Sequence, residues 1–476
     1  MVYLMICVPI IMAGLSMLFP SNRFRPWLIP VAAIFHSSCT GYVLYRPELC
    51  KVNSWLILDP LGKIILITVS VLYLFSSFYT VGYLKYRMDR SNRVFTACIL
   101  AFIGMITLVI WSHHLGLMWV AIEGTTLITA PLIYFNRSKK SIEATWKYLL
   151  VGSVGIALAL LGTFFMAYSS MKGGLEATLS YEVFIKNAAS LSKPWLHAAF
   201  ILLVVGYGTK MGLAPMHTWK PDAYGEAPGI VGVILAGGMT SGAFLALTRF
   251  YHICNAAGET QFSSKLLIFM GLFSMAVAGI FMVSQRDFKR MLAYSSIEHM
   301  GILALGLGIG APALFGTIFH VITNAMTKGV LFMSAGNIHR AYASKNTDQV
   351  MGAIRRLPLS GTLFLIGFIA ITGSPPFGPF ISEFSILKGA FESGNFWSAG
   401  LFLFFLLIVF IGMGITVLKV VYGNVPNDIV NTEYKDGFLT GAPVLLFLAV
   451  VIMLGIYIPE PLKIYLNDAI VFLENK

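Results

Sequence analysis

Residues 206–229, GYGTKMGLAPMHTWKPDAYGEAPG, place a lysine where an apolar helix stops. Lys210 lies inside an apolar run without a neighbouring carboxylate in sequence, and the helical pattern then breaks at Gly212, Pro215 and Pro221. A charged side chain at the bilayer centre costs about 2.5 to 3.5 kcal/mol on insertion scales. Non-helical backbone at that depth needs protein or water to satisfy its polar groups. We therefore expect Lys210 to face water or a partner acid within a broken membrane helix.

The composition is that of a polytopic membrane protein. Of the 476 residues, 57% are hydrophobic and 11% are charged, and the mean hydropathy is +0.79. Because a spanning helix needs about 20 mostly apolar residues, the sequence predicts an all-α fold of about fourteen spans. The candidate spans are 2–20, 27–45, 61–83, 94–111, 115–135, 148–169, 197–218, 229–252, 265–284, 291–310, 313–335, 358–392 (interrupted), 397–422 and 438–458. The first has no positive residues ahead of it and no small-residue cleavage site, which predicts a retained helix and not a signal peptide.

The net charge of +12 reflects membrane topology and does not indicate a nucleic-acid partner. Of the 33 Lys and Arg residues, twenty follow odd-numbered spans, nine lie on the opposite side and four lie within spans. The positive-inside rule assigns the more basic side to the cytoplasm. Both termini are therefore expected outside the cytoplasm.

The cysteines and histidines form no recognisable redox or metal motif. The five cysteines lack CxxC spacing, and the nine histidines lack an HExxH pattern. No GxSxG motif is present either, which disfavours a membrane hydrolase. We expect no cofactor and no metal bound by this chain.

The fifth predicted span carries an acid near its midpoint, Glu123, too deep to reach the membrane surface. We expect it to pair with Lys210, since opposite charges favour each other's ionised forms. A changing separation would then shift the proton affinity of the lysine. The alternative is a structural carboxyl bonded to Thr125 or Thr126. Glu143, in the motif that opens the sixth span, is expected near the same cluster.

Polar residues also mark the second half of the chain. The tenth span carries Glu298 and His299, and the eleventh carries His320, Asn324 and Lys328. A spacing of four places the last three on one helical face, each step rising about 6 Å. We interpret this face as the lining of a water-filled path. The alternative is that His320 has a purely structural role.

The spacing of these residues predicts an internal repeat. The offset from Glu123 to Glu298 (298 − 123 = 175) nearly equals the offset from Lys210 to Glu383 (383 − 210 = 173), and Glu383 follows the interruption GSPPFGPF. Spans four to eight then correspond to spans nine to thirteen, and the odd number of helices inverts the second copy. Inverted repeats with broken helices are typical of transporters with ion sites near the breaks. The predicted parts are residues 1–93 (spans one to three), 94–252 and 265–422 (the two repeats), and 423–476 (the last span and a short tail).

Six motifs carry a resemblance to a known family. They are WVAIEGTTL, SIEATWKYL, GTKMGLAPMHTWKPDA, RMLAYSSIEHMG, FHVITNAMTKGVLF and SPPFGPFISEF. With these six motifs, the sequence resembles the antiporter-like membrane subunits shared by respiratory complex I, Mrp-type antiporters and energy-converting nickel–iron hydrogenases. Within that family it is most similar to component F of hydrogenase-4 and its relatives in group 4 hydrogenases and formate hydrogenlyases.

The resemblance implies a proton-translocating module in a prokaryotic cytoplasmic membrane, with helices seven and twelve discontinuous. It also implies partner subunits that carry the redox chemistry, with iron–sulfur clusters and a nickel–iron site. By the same resemblance, Glu123 and Lys210 form a gate, Lys328 and His320 relay protons, and Glu383 exchanges them at the far end.

Several positions differ from the family pattern. Ser241 stands where many relatives have a lysine or histidine in helix eight, which leaves a gap that water or Thr240 would have to bridge. Asn324 replaces a frequent second histidine, and Tyr224 replaces a histidine. After helix fourteen only PEPLKIYLNDAIVFLENK remains, without the long lateral helix of the most distal complex I subunit. The resemblance therefore implies a shorter internal subunit or a smaller complex.

Two alternatives stay open at this point. The first is an Mrp-type Na+/H+ antiporter subunit that no redox reaction drives. The second is a structural membrane scaffold whose charges only pair with each other. The sequence leaves the ion, H+ or Na+, and the direction of pumping undecided.

Overall fold

The computed structural model describes residues 1–424 and 432–474, and these residues form a bundle of α-helices without a β-strand. The helices of the first half are α1 (Val2–Leu18), α2 (Leu28–Tyr45), α3 (Pro60–Lys85), α4 (Arg93–Trp111), α5 (Leu115–Ile133), α6 (Lys139–Lys172), α7 (Tyr181–Lys186), α8 (Lys193–Met211), α9 (Trp219–Glu226), α10 (Gly229–Val233) and α11 (Thr240–Ala256). Those of the second half are α12 (Thr260–Val283), α13 (Phe288–Ile309), α14 (Ala311–Tyr342), α15 (Ala353–Arg356), α16 (Pro358–Ile371), α17 (Gly378–Glu392), α18 (Phe396–Tyr422), α19 (Phe438–Ile456) and α20 (Glu460–Glu474).

The predicted fold class, an all-α polytopic membrane protein, is confirmed. In the described ranges, ten helices are long and apolar enough to cross a bilayer. The other predicted spans lie in α1, α8, α14 and the pair α16 and α17. Helices suit this environment because each satisfies its own backbone polar groups where no water can.

Both predicted helix breaks are present. The first follows α8 at Gly212, whose φ is +82°, and the second follows α16, with Gly373 at a φ of +68°. The prediction that Pro221 also breaks the helix is wrong, because Pro221 lies in the first turn of α9. A proline there needs no backbone donor.

The breaks also correct one detail of the predicted repeat. Lys210 precedes its break, whereas Glu383 follows its break as part of α17. The two residues therefore do not occupy corresponding positions, and the predicted match between them is wrong.

The centre of the bundle consists of α10, α11, α13 and α14. The apolar windows of residues 229–256 and of Phe288–Ile309 are 100% buried. A π-helix, Ile234–Met239, joins α10 to α11, so the eighth predicted span is one continuous but irregular helix. π-Helical turns are frequent at functional sites.

Candidate functional site

The first group of ionisable residues joins α5 to the end of α8. Lys210 Nζ lies 3.3 Å from Oε2 of Glu123 and also donates a hydrogen bond to Thr126 Oγ1. Ser153 on α6 donates to the other oxygen of the Glu123 carboxylate at 3.2 Å. At Gly152, one residue earlier, an added Cβ would lie 2.9 Å from Lys210 Nζ. The structure thus brings the predicted pair together, with Thr126 bonded to the lysine and not to the carboxylate.

The position of Lys210 follows from the end of α8. Lys210 lies in the last turn of the helix, where the free carbonyl groups favour a cation. The break beyond it is held by side chains: the backbone N–H of Ala214 donates to Ser274 Oγ at 2.9 Å, and Trp219 Nε1 donates to the carbonyl of Thr209 at 2.9 Å. The irregular backbone is therefore satisfied by protein groups, as the membrane interior requires.

The second group joins α13, α14 and α17. His299 Nδ1 and His320 Nε2 lie 3.0 Å apart, and His320 Nδ1 lies 2.8 Å from the hydroxyl of Ser382. One carboxylate oxygen of Glu383 lies 3.9 Å from His299 Nδ1. All four side chains are buried. They form a polar chain across three helices of the second half.

Lys328 lies beside this chain, buried on α14. Its Nζ donates to Ser295 Oγ at 2.7 Å, and its charge interacts with the carboxylates of Glu298 and Glu383. Asn324, one turn earlier, is buried, and its Oδ1 has no hydrogen-bond partner in the described part of the chain. Lys328 therefore shares one polar interior with Glu298, Asn324 and Glu383.

Three of these groups also have the composition of a metal site. The ligand atoms of His299, His320 and Glu383 all lie within 4.8 Å of one another. However, the two facing imidazole nitrogens are 3.0 Å apart, which is a hydrogen-bond distance, so one of them carries a proton and has no lone pair for a cation. Lys328 adds a positive charge next to Glu383. The arrangement therefore suits proton exchange better than metal binding.

Of the auxiliary residues Glu143 and Ser241, the first differs from expectation. Glu143 is exposed and pairs with Lys147 at 2.6 Å, so the expectation that it joins the Glu123 cluster is wrong. Ten residues of α6 separate it from Ser153, which is about 15 Å along the helix. Ser241 is buried, and its hydroxyl donates to the carbonyl of Gly237 in its own helix at 2.6 Å.

Several buried cations were not predicted from the sequence, and Lys220 is one of them. By position Lys220 belongs to the loop after the seventh predicted span, on the more basic side of the membrane, but its side chain is fully buried. Its Nζ donates to the carbonyl of Met211 and lies 2.9 Å from Ser296 Oγ. The available signal was its setting between Trp219 and Tyr224, since aromatic flanks are unusual for a solvated basic loop.

The comparisons with known proteins agree on a family. Residues 112–412 match the family model described as NADH:quinone oxidoreductase/Mrp antiporter, TM. The chain is 30% identical over 451 residues to a hydrogenase-4 component F homolog of Methylacidiphilum infernorum, covering 92% of each chain. It shares its fold with a chain of the membrane-bound sulfane sulfur reductase, an archaeal respiratory membrane complex, with a TM-score of 0.86, 20% identity and coverage of 99% and 97%.

A similar fold occurs in the Mrp complex from Dietzia sp., with a TM-score of 0.85, 16% identity, and coverage of 99% of this chain and 96% of that one. The family model spans well over half of the sequence, and the M. infernorum relative extends over nearly all of it. This chain therefore belongs to the NADH:quinone oxidoreductase/Mrp antiporter family and is an antiporter-like integral membrane subunit.

Proposed function

We propose that the chain translocates protons within a complex I-like oxidoreductase of the hydrogenase-4 type. The observation that carries this proposal is the set of buried ionisable side chains inside a membrane bundle. Such residues are rare in membrane helices and mark ion pathways when they occur. Here they lie in both halves of the chain, at or next to both broken helices.

Each half supplies a different part of the path. Glu123 and Lys210 form the gate, because a longer distance between them makes the lysine release its proton more readily. His320 and Lys328 relay protons through the second half. Glu383 exchanges protons with one aqueous side or with the next subunit.

The redox reaction takes place in partner subunits. The similarity to a hydrogenase-4 component F homolog supports partners with iron–sulfur clusters and a nickel–iron site. The similarity to the Methylacidiphilum infernorum homolog supports a prokaryotic cytoplasmic membrane. The excess of basic residues in the loops after odd-numbered spans supports an orientation with both termini on the non-cytoplasmic side.

Purification of the tagged chain from native membranes, followed by metal analysis, tests this proposal. We expect nickel, iron and soluble hydrogenase subunits to accompany the chain. A chain accompanied only by other membrane antiporter subunits, without these metals, would contradict the redox-linked assignment.

Secondary Na+/H+ antiport is a second candidate, supported by the fold shared with the Mrp complex chain. The same buried residues would then exchange protons for sodium. This function predicts Na+-dependent proton exchange in vesicles that contain the chain and its membrane partners but no redox subunits.

A further inference from the structure

Lys220 is a buried cation without a counter-ion. Its Nζ contacts the carbonyl of Met211 and the hydroxyl of Ser296, and among the described residues no carboxylate lies within ion-pair distance of it. Asp222, two residues later, instead pairs with Lys147 at 2.9 Å and Arg290 at 3.2 Å. A buried charge without a counter-ion is costly, which favours a side chain that can also take the neutral form.

The two helix breaks give Lys220 a counterpart. Gly212 and Gly373, both with positive φ, mark the two breaks. Lys220 follows the first glycine and Glu383 the second. The offset between the glycines (373 − 212 = 161) nearly equals the offset between the ionisable residues (383 − 220 = 163). At each break, an ionisable residue therefore follows the glycine at a similar separation in sequence.

The side chains at the two breaks are also arranged alike. An added Cβ on Gly212 would lie 2.9 Å from Lys220 Nζ, and one on Gly373 would overlap the carboxylate of Glu383. In both halves a glycine without a side chain thus leaves room for the charged group. The structural counterpart of Glu383 is Lys220 and not Lys210.

Lys220 also connects the two halves of the chain. Through Met211 it contacts the end of α8, one residue beyond Lys210. Through Ser296 it contacts α13, where the preceding residue, Ser295, accepts a hydrogen bond from Lys328 at 2.7 Å. Two lysines therefore reach the same turn of α13 from different helices.

Helix α11 and the π-helical turn before it do not provide such a connection. The hydroxyls of Thr240 and Ser241 each donate to a carbonyl of their own helix at 2.6 Å. Among the described residues, neither hydroxyl is hydrogen-bonded to an ionisable side chain.

We propose that Lys220 is the central proton relay between the Glu123–Lys210 pair and the Lys328 group; this inference rests on the proposed function. In each transfer an N–H bond of one ammonium group breaks and an N–H bond forms on the neutral amine that follows it. The Ser296 hydroxyl beside Lys220 and the Ser295 hydroxyl beside Lys328 each accept one proton and release another. Water molecules carry the proton where successive groups of the path do not contact each other, as between Lys210 and Lys220. Lys220 and Lys328 are close enough to interact electrostatically. Since like charges disfavour each other, a proton that arrives on Lys220 promotes release from Lys328.

The test compares Lys220→Met and Lys220→Arg in the complex purified from native membranes and reconstituted in liposomes. Turnover is driven by a reduced viologen dye, and a pH-sensitive dye reports proton uptake. Methionine keeps the length without the charge, and arginine keeps the charge but does not release its proton. We expect both variants to assemble and to lower proton uptake per turnover to below about a tenth of the wild-type value. Wild-type uptake in Lys220→Arg would overturn the relay, because a structural cation would be enough.

Two controls separate the possible failures. Lys289→Met removes another buried lysine, one bonded to the backbone carbonyls of Gly225 and Ala227, and we expect uptake per turnover to stay normal in it. If Lys210→Met lost uptake while both Lys220 variants kept it, only the relay would be refuted; if Lys210→Met kept uptake, the proposed function itself would fail. If neither Lys220 variant assembles, proton uptake by Ser296→Ala tests the relay instead. A several-fold loss of uptake would support the relay, and wild-type uptake would overturn it.

Discussion

Lys210 and Glu123 meet at 3.3 Å, but the lysine side chain is 1% exposed while the glutamate side chain is 18% exposed. The ammonium group is therefore enclosed by the bundle, and the carboxylate lies closer to its surface. Lys210 depends on this carboxylate and on Thr126. Glu123 has a second partner in Ser153. Removal of Glu123 should therefore affect Lys210 more than removal of Lys210 affects Glu123.

Glu123→Gln should reduce proton uptake at least about tenfold. The amide keeps the shape of the side chain but removes the charge that sets the proton affinity of Lys210. Proton uptake of the reconstituted complex during turnover measures the effect. Glu143→Gln is the control, because Glu143 is exposed and pairs with Lys147 at the surface. An equal loss in both variants would contradict a specific role for Glu123.

Glu383→Gln should also reduce proton uptake at least about tenfold, while the complex still assembles. Glu383 is buried 3.9 Å from His299, with which its carboxylate can exchange a proton, and it interacts electrostatically with Lys328. Glu392→Gln on the same helix is the matched control. Glu392 is exposed and forms a surface pair with Lys388 at 3.5 Å, and such pairs contribute about 0.3 to 0.5 kcal/mol. Normal uptake in Glu383→Gln would remove this residue from the path.

Gly212→Ala should impair both stability and transport. An alanine at a φ of +82° costs roughly 1 to 2 kcal/mol, and its Cβ would also push against the Lys220 side chain. Gly258→Ala isolates the backbone cost, since Gly258 has a φ of +81° and nothing within 4 Å of an added Cβ. Because both glycines have a positive φ, we expect both variants to lose thermal stability in detergent. Only Gly212→Ala should also lose proton uptake. Equal uptake in the two variants would argue against a functional contact with Lys220.

Asp59→Asn should destabilise the protein in a pH-dependent way. Asp59 caps α3 and bonds to Arg249 at 2.9 Å and to His113 at 3.0 Å. Burial by itself raises the pKa of this carboxyl, but Arg249 and His113 outweigh that effect and hold the pKa well below its usual value of 3.8. The ionised form therefore stabilises the fold above about pH 4, and this stabilisation is lost as the pH falls below that value.

The asparagine variant should accordingly be less stable by about 3 to 5 kcal/mol at pH 7, the usual cost of breaking a buried ion pair. Unfolding of wild-type and variant protein in mild detergent, followed from pH 7 to pH 3, measures the difference. We expect the difference to shrink below about pH 4. A constant difference over this range would mean that the charge of Asp59 does not contribute to stability.

The sequence predicts the helices and both breaks because these features depend on local patterns. Runs of about 20 apolar residues define spans, and the clusters of glycine and proline at 212–215 and 373–379 mark the two breaks. The meeting of Glu123 and Lys210 was also predictable, since two opposite charges at membrane depth stabilise each other. These inferences need no knowledge of how distant helices pack.

Lys220 and Glu143 show where this reasoning stops. Lys220 is followed by Pro221 and Asp222, a pattern typical of a surface loop, and its burial depends on how α9 packs between α6 and α13. Glu143 was expected near the Glu123 cluster because its motif opens the sixth span, but α6 begins at Lys139 and Glu143 lies on its exposed face. Both cases depend on tertiary packing, which a local pattern does not contain.

The central claim is that a proton passes through Lys210. The most direct measurement is proton uptake per turnover by the reconstituted complex that carries Lys210→Met, with assembly checked by co-purification of its partner subunits. The account predicts an assembled complex that turns over but takes up protons at less than about a tenth of the wild-type ratio. Wild-type proton uptake in the assembled variant would contradict it.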